Sequence, residues 1–199
     1  QALNKFANPQ DVRFSDTFLV VTPGITIRDR LRVLLPQDPE NYYDKLDVLS
    51  AERIVELRRA KIVVTNFHAF IPRERGDAAK LTKKILRQDE TGAFTESSDQ
   101  MVRRVCRELG QRKNFVVIND EAHHCYRPKP ADDEVLKGDD RVEAARRRED
   151  ARVWISGLQA IQGKLGIKAI YDLSATPFFL RGSGYGEGTL FPWVVSDFS

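Results

Sequence analysis

The sequence predicts an α/β fold: a parallel β-sheet flanked by helices. Three observations predict it. Four short apolar runs are spaced along the chain, stretches with helical spacing of apolar residues lie between them, and two of the runs are unbroken rather than alternating. Continuous β-branched runs suit strands covered on both faces, and strands separated by helices imply right-handed crossover connections.

The predicted elements follow in chain order. "TFLVVT" (Thr17 to Thr22) is the first strand, and "IRDRLRVLL" from Ile27 then places Ile27, Leu31 and Leu34 or Leu35 on one helical face. "SAERIVELRRA" opens a helix with Ser50 as cap and Glu52 close behind it, and "KIVVT" (Lys61 to Thr65) is the second strand. "SSDQMVRRVCRELG" offers a capping Ser or Asp, a stripe of Met101, Val105 and Leu109, and a terminal Gly110. Cys106 adjoins that stripe and reads as a small packed residue. "NFVVIN" (Asn114 to Asn119) and "KAIYDLS" (Lys168 to Ser174) complete the strands, while Trp154 and Ile155 fall in a helical stretch as core residues.

Composition narrows the class. With 199 residues, 41% hydrophobic and 31% charged, the chain suits one globular domain. Charged insertions are expected at about 71–95 and 127–152, where mixed signs favour a solvated face over a nucleic-acid arm. The formal charge of +3 is too small to argue for a polyanion partner by itself. No apolar stretch is long enough to cross a bilayer, and the opening residues have no signal-peptide pattern, so a cytoplasmic protein with reduced Cys106 and Cys125 is expected.

Function is sought where strands end. Ligands of open parallel sheets bind at the carboxyl edge. Here the runs finish in "TPG" (Thr22 to Gly24), "TNFH" (Thr65 to His68), "DEAHH" (Asp120 to His124) and "SATP" (Ser174 to Pro177). His123 and His124 are consecutive and diverge, which disfavours a zinc site with Cys125. Two carboxylates at the mouth of a buried strand need a cation or hydrogen-bond donors. Asp120 and Glu121 can divide the labour of a nucleotide site, one holding the water shell of magnesium and the other polarising an attacking water. Phe67 and His68 could stack on a base, although Phe67 in this position more often packs, and His124 and Tyr126 read as loop residues.

These signatures carry a resemblance. "DEAH" after one strand and "SAT" after another, about fifty residues on, resemble motifs II and III of superfamily 2 helicases and translocases. "VVTPG" and "VTNFH" resemble their motifs Ia and Ib. More narrowly, "INDEAHHCYR" with "LSATPFFLRGSGYGEGTLFPWVVSDFS" is similar to the helicase-like subunit of type III restriction enzymes.

The resemblance implies a RecA-like domain, ATP and magnesium as ligands, DNA, double-stranded above all, as the track, and a modification or specificity subunit as a possible partner. Asp120 would hold magnesium through water, Glu121 would activate the hydrolytic water, and His123 would couple the nucleotide to Ser174 and Thr176. Thr22, Pro23, Gly24, Thr65 and Asn66 would line the nucleic-acid path, with Arg28 as a further phosphate contact or simply a solvated helix residue.

Two departures stand out. No G-x-x-x-x-G-K-[ST] phosphate loop occurs, since "GLQAIQGKLG" has one residue too many and Leu165 at the hydroxyl position. That loop is expected upstream of Gln1, so these residues alone should be nearly inactive. Asn119 also stands where an aliphatic residue would close the strand more comfortably. Two alternatives remain open: a non-enzymatic RecA-like scaffold for DNA or protein, and a carboxylate-based magnesium nuclease.

Overall fold

In a computed structural model, which describes residues 1–73, 95–125 and 139–174, four parallel strands form one sheet. They are β1 (Thr17–Thr22), β2 (Lys61–Asn66), β3 (Phe115–Asn119) and β4 (Ile167–Asp172), in the spatial order β2, β1, β3, β4. The α/β class with helices flanking an all-parallel sheet is therefore the observed one, consistent with a RecA-like arrangement. Each expected strand is present within one or two residues of its sequence bounds.

Sequence order and spatial order differ, and the difference changes the covering of the strands. The Lys61 run reads as a strand covered on both faces, yet β2 is an edge strand with only Val63 and Asn66 buried. The central positions belong to β1 and β3, where Leu19, Val20, Val21, Phe115, Val116 and Val117 are each at most 2% exposed. Apolar composition records how well a run tolerates burial; the crossover path decides which run receives it.

Successive side chains of a strand point to opposite faces, so the two central strands feed two layers. Leu19, Val21, Phe115 and Val117 join Val63, Met101, Val102, Trp154, Leu158 and Ile161 in the larger core. On the other face Phe18 packs with Ala2 and Leu57, from the helices α1 (Ala2–Ala7) and α4 (Ala51–Leu57), beside Tyr43 of the short α3 (Tyr42–Lys45). Ser50 does occupy the N-cap of α4, but its side chain makes no capping bond.

Three helices between the strands need comment. The expected stripe after β1 is broken: α2 (Ile25–Arg30) gives way to a 3-10 turn at Leu31–Leu34, and none of these residues is buried. Pro36 explains the stop, because the residue before a proline is pushed out of the helical region. α5 (Ser98–Val105) starts at a capping Ser, as expected, and Gln100 adds the reciprocal bond of a capping box with Ser97. Its buried side chains are Met101 and Val102, with Cys106 and Leu109 just beyond and Val105 only partly covered.

The longest helix, α6 (Asp139–Leu165), unites two stretches with opposite characters. Residues Arg141 to Asp150 are mostly exposed and laced by the pairs Glu143 with Arg147 and Arg146 with Asp150. From Ala151 onward, Ala151, Trp154, Ile155, Leu158 and Ile161 are all at most 1% exposed. The charged run up to Arg152 is thus continuous with a core helix over its described part. No helix of the described residues is long and apolar enough to cross a membrane.

Candidate functional site

The strand ends lie level at one edge of the sheet. Thr65 pairs with Val21, Val21 with Asn119, and Asn119 with Asp172, so a single row crosses all four strands. Neighbouring strands are about 4.8 Å apart, which brings the turns after them within reach of one ligand of nucleotide size. Four polar turns scattered over some 150 residues of sequence become one rim. Parallel pairing produces this: only parallel strands deliver every carboxyl end to the same side.

The acidic turn sits in the middle of that rim and is clamped on both sides. Asp120 N–H donates to the carbonyl of Val21 at 2.9 Å, at the end of β1. On the other side Leu173 N–H donates to the Asn119 carbonyl at 2.9 Å, and Ala122 N–H donates to Leu173 at 2.8 Å. The backbone carrying Asp120 and Glu121 is therefore hydrogen-bonded to the residue that directly precedes Ser174. Glu121 adopts a left-handed conformation with φ of 49°, a strained region for a residue with a Cβ. The chain then enters a 3-10 turn, Ala122–Cys125.

Electrostatics favours a cation here. Burial, and secondarily the negative charge of Glu121, push the Asp120 carboxyl above its ordinary value, against an opposing backbone hydrogen bond from Glu121. A nearby cation would reverse that shift. The donors are two hard carboxylates, and among the described residues no group of three His, Cys, Asp or Glu side chains is placed to hold a metal ion. Carboxylate oxygens are hard donors, which suit magnesium better than zinc, whose sites draw on nitrogen and sulfur.

Asn119, an apparent misfit in the sequence, is the best-determined polar group of the site. It is fully buried; its Oδ1 accepts from Trp154 Nε1 at 3.1 Å and its Nδ2 donates to Asp172 Oδ1 at 2.7 Å. The chemistry of the partners fixes the amide orientation, since an indole N–H only donates and a carboxylate only accepts. Trp154, also fully buried, stacks on Phe67 with ring centroids 5.1 Å apart and an interplanar angle of 8°. An aliphatic residue at 119 would leave the buried Trp154 N–H without its acceptor and would take one hydrogen bond from the exposed Asp172. Sequence reasoning missed this role, and the available signal was a buried-strand asparagine paired with a helical tryptophan.

No family model matches the chain, and neither a curated protein nor a solved structure matches it.

The residues expected along the nucleic-acid path divide into two groups. Thr22 and Asn66 face each other in the β1–β2 register, so the two turns are adjacent. Both are buried, however, and the Thr22 hydroxyl donates to the Gly24 carbonyl at 2.9 Å, which makes it a brace for the turn. Pro23, Gly24 and Thr65 are partly exposed on the same rim. Arg28 is bound to its neighbour Asp29 at 2.7 Å. Phe67 packs in the core at 3% exposure, while the exposed His68 lies against its ring at a centroid distance of 4.0 Å.

Ser174, at the described end of the chain after β4, is half-buried beside the acidic turn. Thr176 and the glycine-rich stretch from Arg181 lie outside the described residues, as do Tyr126 and the side chains of His123 and Cys125. At the opposite edge of the sheet an open cavity of about 420 Å³ is lined by Lys5, Lys113, Lys168 and Asp16 among others. Lys168 already donates to the carbonyls of Val12 and Phe14, and Lys5 to those of Pro9 and Asp11. These ammonium groups tie down the N-terminal segment.

Proposed function

We propose that the chain is the larger part of a RecA-like motor domain whose carboxyl edge takes magnesium and ATP and couples hydrolysis to movement along DNA. The observation that carries this reading is the clamped acidic turn: Asp120 and Glu121 occupy the centre of a rim on which all four strand ends converge. Asp120, raised by burial and by its neighbour, would be relieved by a cation and would hold the ion through its water shell. Magnesium, when bound, would neutralise charge on the phosphate oxygens. Glu121 accepts the proton of the attacking water, and its strained backbone fixes where that carboxylate begins.

The turns after β1 and β2 form the nucleic-acid side, with Pro23, Gly24 and Thr65 offering backbone and hydroxyl contacts to phosphates. Those contacts read no bases. His123 would couple the nucleotide to Ser174 and Thr176, which follow β4 in sequence and would help transmit nucleotide state to the nucleic acid, as the resemblance implies. The narrower likeness to the helicase-like subunit of type III restriction enzymes makes double-stranded DNA the track and a modification subunit the partner.

The test is ATP hydrolysis by the full-length gene product with magnesium, with and without double-stranded DNA. Loss of a positioned general base costs about 10²–10⁴ in rate, so Glu121→Gln should abolish DNA-stimulated turnover while leaving nucleotide binding in place. Turnover unaffected by Glu121→Gln would overturn the reading, as would DNA cleavage that needs Asp120 and magnesium but no nucleotide. Stable DNA or protein binding with no nucleotide response would replace it with a scaffold.

A further inference from the structure

We infer that the Asn119 carboxamide is the positioning residue of the acidic turn, fixing it against α6 through Trp154 and against β4 through Asp172. The inference rests on the proposed cation site at Asp120 and adds to it a residue that touches no ligand. Three facts carry it. Asn119 directly precedes Asp120; its side chain is completely buried; and both ends of its amide are used, at 3.1 Å and 2.7 Å, by groups from two different elements.

The geometry explains why a carboxamide is required. Trp154 presents only a donor and Asp172 only an acceptor, so the residue between them must accept on one side and donate on the other. Asp, Leu and Val each fail at least one of these demands. The Asn119 carbonyl and Asp120 N–H of the same turn hold β4 and β1 respectively. Side chain and backbone of two consecutive residues therefore fasten the turn to α6, β4 and β1 together. Trp154 extends the connection, because its ring lies flat on Phe67, the residue after Asn66. One indole thus joins the turn proposed for nucleic acid to the turn proposed for the nucleotide.

Residues that orient metal-holding carboxylates typically change metal affinity about 10–100-fold when removed. The experiment uses manganese alone as the probe, added to the 199-residue chain, with its affinity measured by titration and its position by broadening of the Glu121 and Ala122 amide resonances. Asn119→Leu, which cannot bond either partner, should weaken manganese about tenfold or more in the folded protein. The reciprocal exchange, Asn119→Asp together with Asp172→Asn, keeps the net charge, lets the residue at 119 accept from both sides, and should restore most of the affinity. Trp154→Phe, which keeps a ring against Phe67 but loses the N–H, should fall between them.

Asn119→Leu with unchanged manganese affinity, or a reciprocal exchange that folds but does not rescue, would overturn the inference. Should manganese fail to bind the wild-type turn at all, with Asp120→Asn making no difference, the cation site itself would be lost. Hydrogen exchange then decides about Asn119 separately. Faster exchange of the Asp120, Ala122 and Leu173 amides in Asn119→Leu than in the rest of the sheet supports the positioning role, and uniform exchange ends it.

Discussion

The ring of Phe70 lies directly on the α-carbon of Gly157: a Cβ built on that glycine would fall 2.3 Å from Phe70 Cγ. This contact seats α6 against the 3-10 turn Phe67–Phe70 that follows β2, and Phe70 is only 3% exposed. Gly157 lies three residues from Trp154, so the same contact sets the depth of the indole that reaches Asn119. The backbone of α6 approaches this closely only because residue 157 has no side chain.

Gly157→Ala should therefore destabilise the protein by about 1–3 kcal/mol, although alanine is the better helix former, because overpacking outweighs propensity here. Chemical denaturation measures it. Pairing the change with Phe70→Leu should recover part of the loss, and a stabilised single variant would show that the helix can shift freely.

The left-handed Glu121 makes a prediction that separates backbone from carboxylate. Glu121→Gly and Glu121→Ala both remove the acid, but only glycine adopts a φ of 49° without Cβ strain. The glycine variant should be more stable than the alanine variant by about 1 kcal/mol, with both equally inert toward ATP. Equal thermal midpoints would mean that the turn relaxes out of the left-handed region.

Glu96 and Arg104 supply the pH dependence. The Arg104 guanidinium donates to Glu96 at 2.6 Å and to the carbonyl of Ala69 at 2.9 Å, tying the start of α5 to the turn after β2. Its hydrogen bonds hold the Glu96 carboxyl below its ordinary value, a shift that the N–H of Arg73 reinforces. A folded-state value below the unfolded one adds stability above the unfolded-state value and loses it as pH falls through the folded one. Glu96→Gln should cost about 1 kcal/mol at neutral pH, and the gap to wild type should close on acidification below about pH 4. A gap independent of pH would assign the effect to packing.

Cys106 is 3% exposed, and burial pushes its thiol up to about 12. Alkylating reagents attack the thiolate, so at pH 8 this cysteine should react only as fast as the protein opens. Peptide mass spectrometry after brief iodoacetamide treatment, with and without denaturant, reads it. Rapid labelling at residue 106 in the native protein would contradict the packing of α5.

Much of this architecture was legible in the chain. Runs of Val, Ile and Phe located the strands because burial in a sheet demands them, and a capping Ser marked the start of α5, where the structure adds a reciprocal bond from Gln100. Cys106 and Trp154 fell in the core as their apolar spacing required. What local pattern misjudged depended on neighbours far away in sequence. The Lys61 run became an edge strand, Thr22 turned its hydroxyl inward onto Gly24, and the stripe after Gly24 stayed only half-buried. Asn119 reads as a defect in a strand until Trp154 and Asp172, 35 and 53 residues on, are set beside it.

The sequence by itself determined the element types, the capping of α5 and the presence of an acidic pair at a strand's end, because each follows from interactions within a few residues. Only the tertiary structure decided the strand order β2, β1, β3, β4, the common rim of the four turns, and the buried amide behind the acids. Those depend on which distant segments share a low-dielectric interior, where a donor left without its acceptor is costly and each partner must be found across the fold.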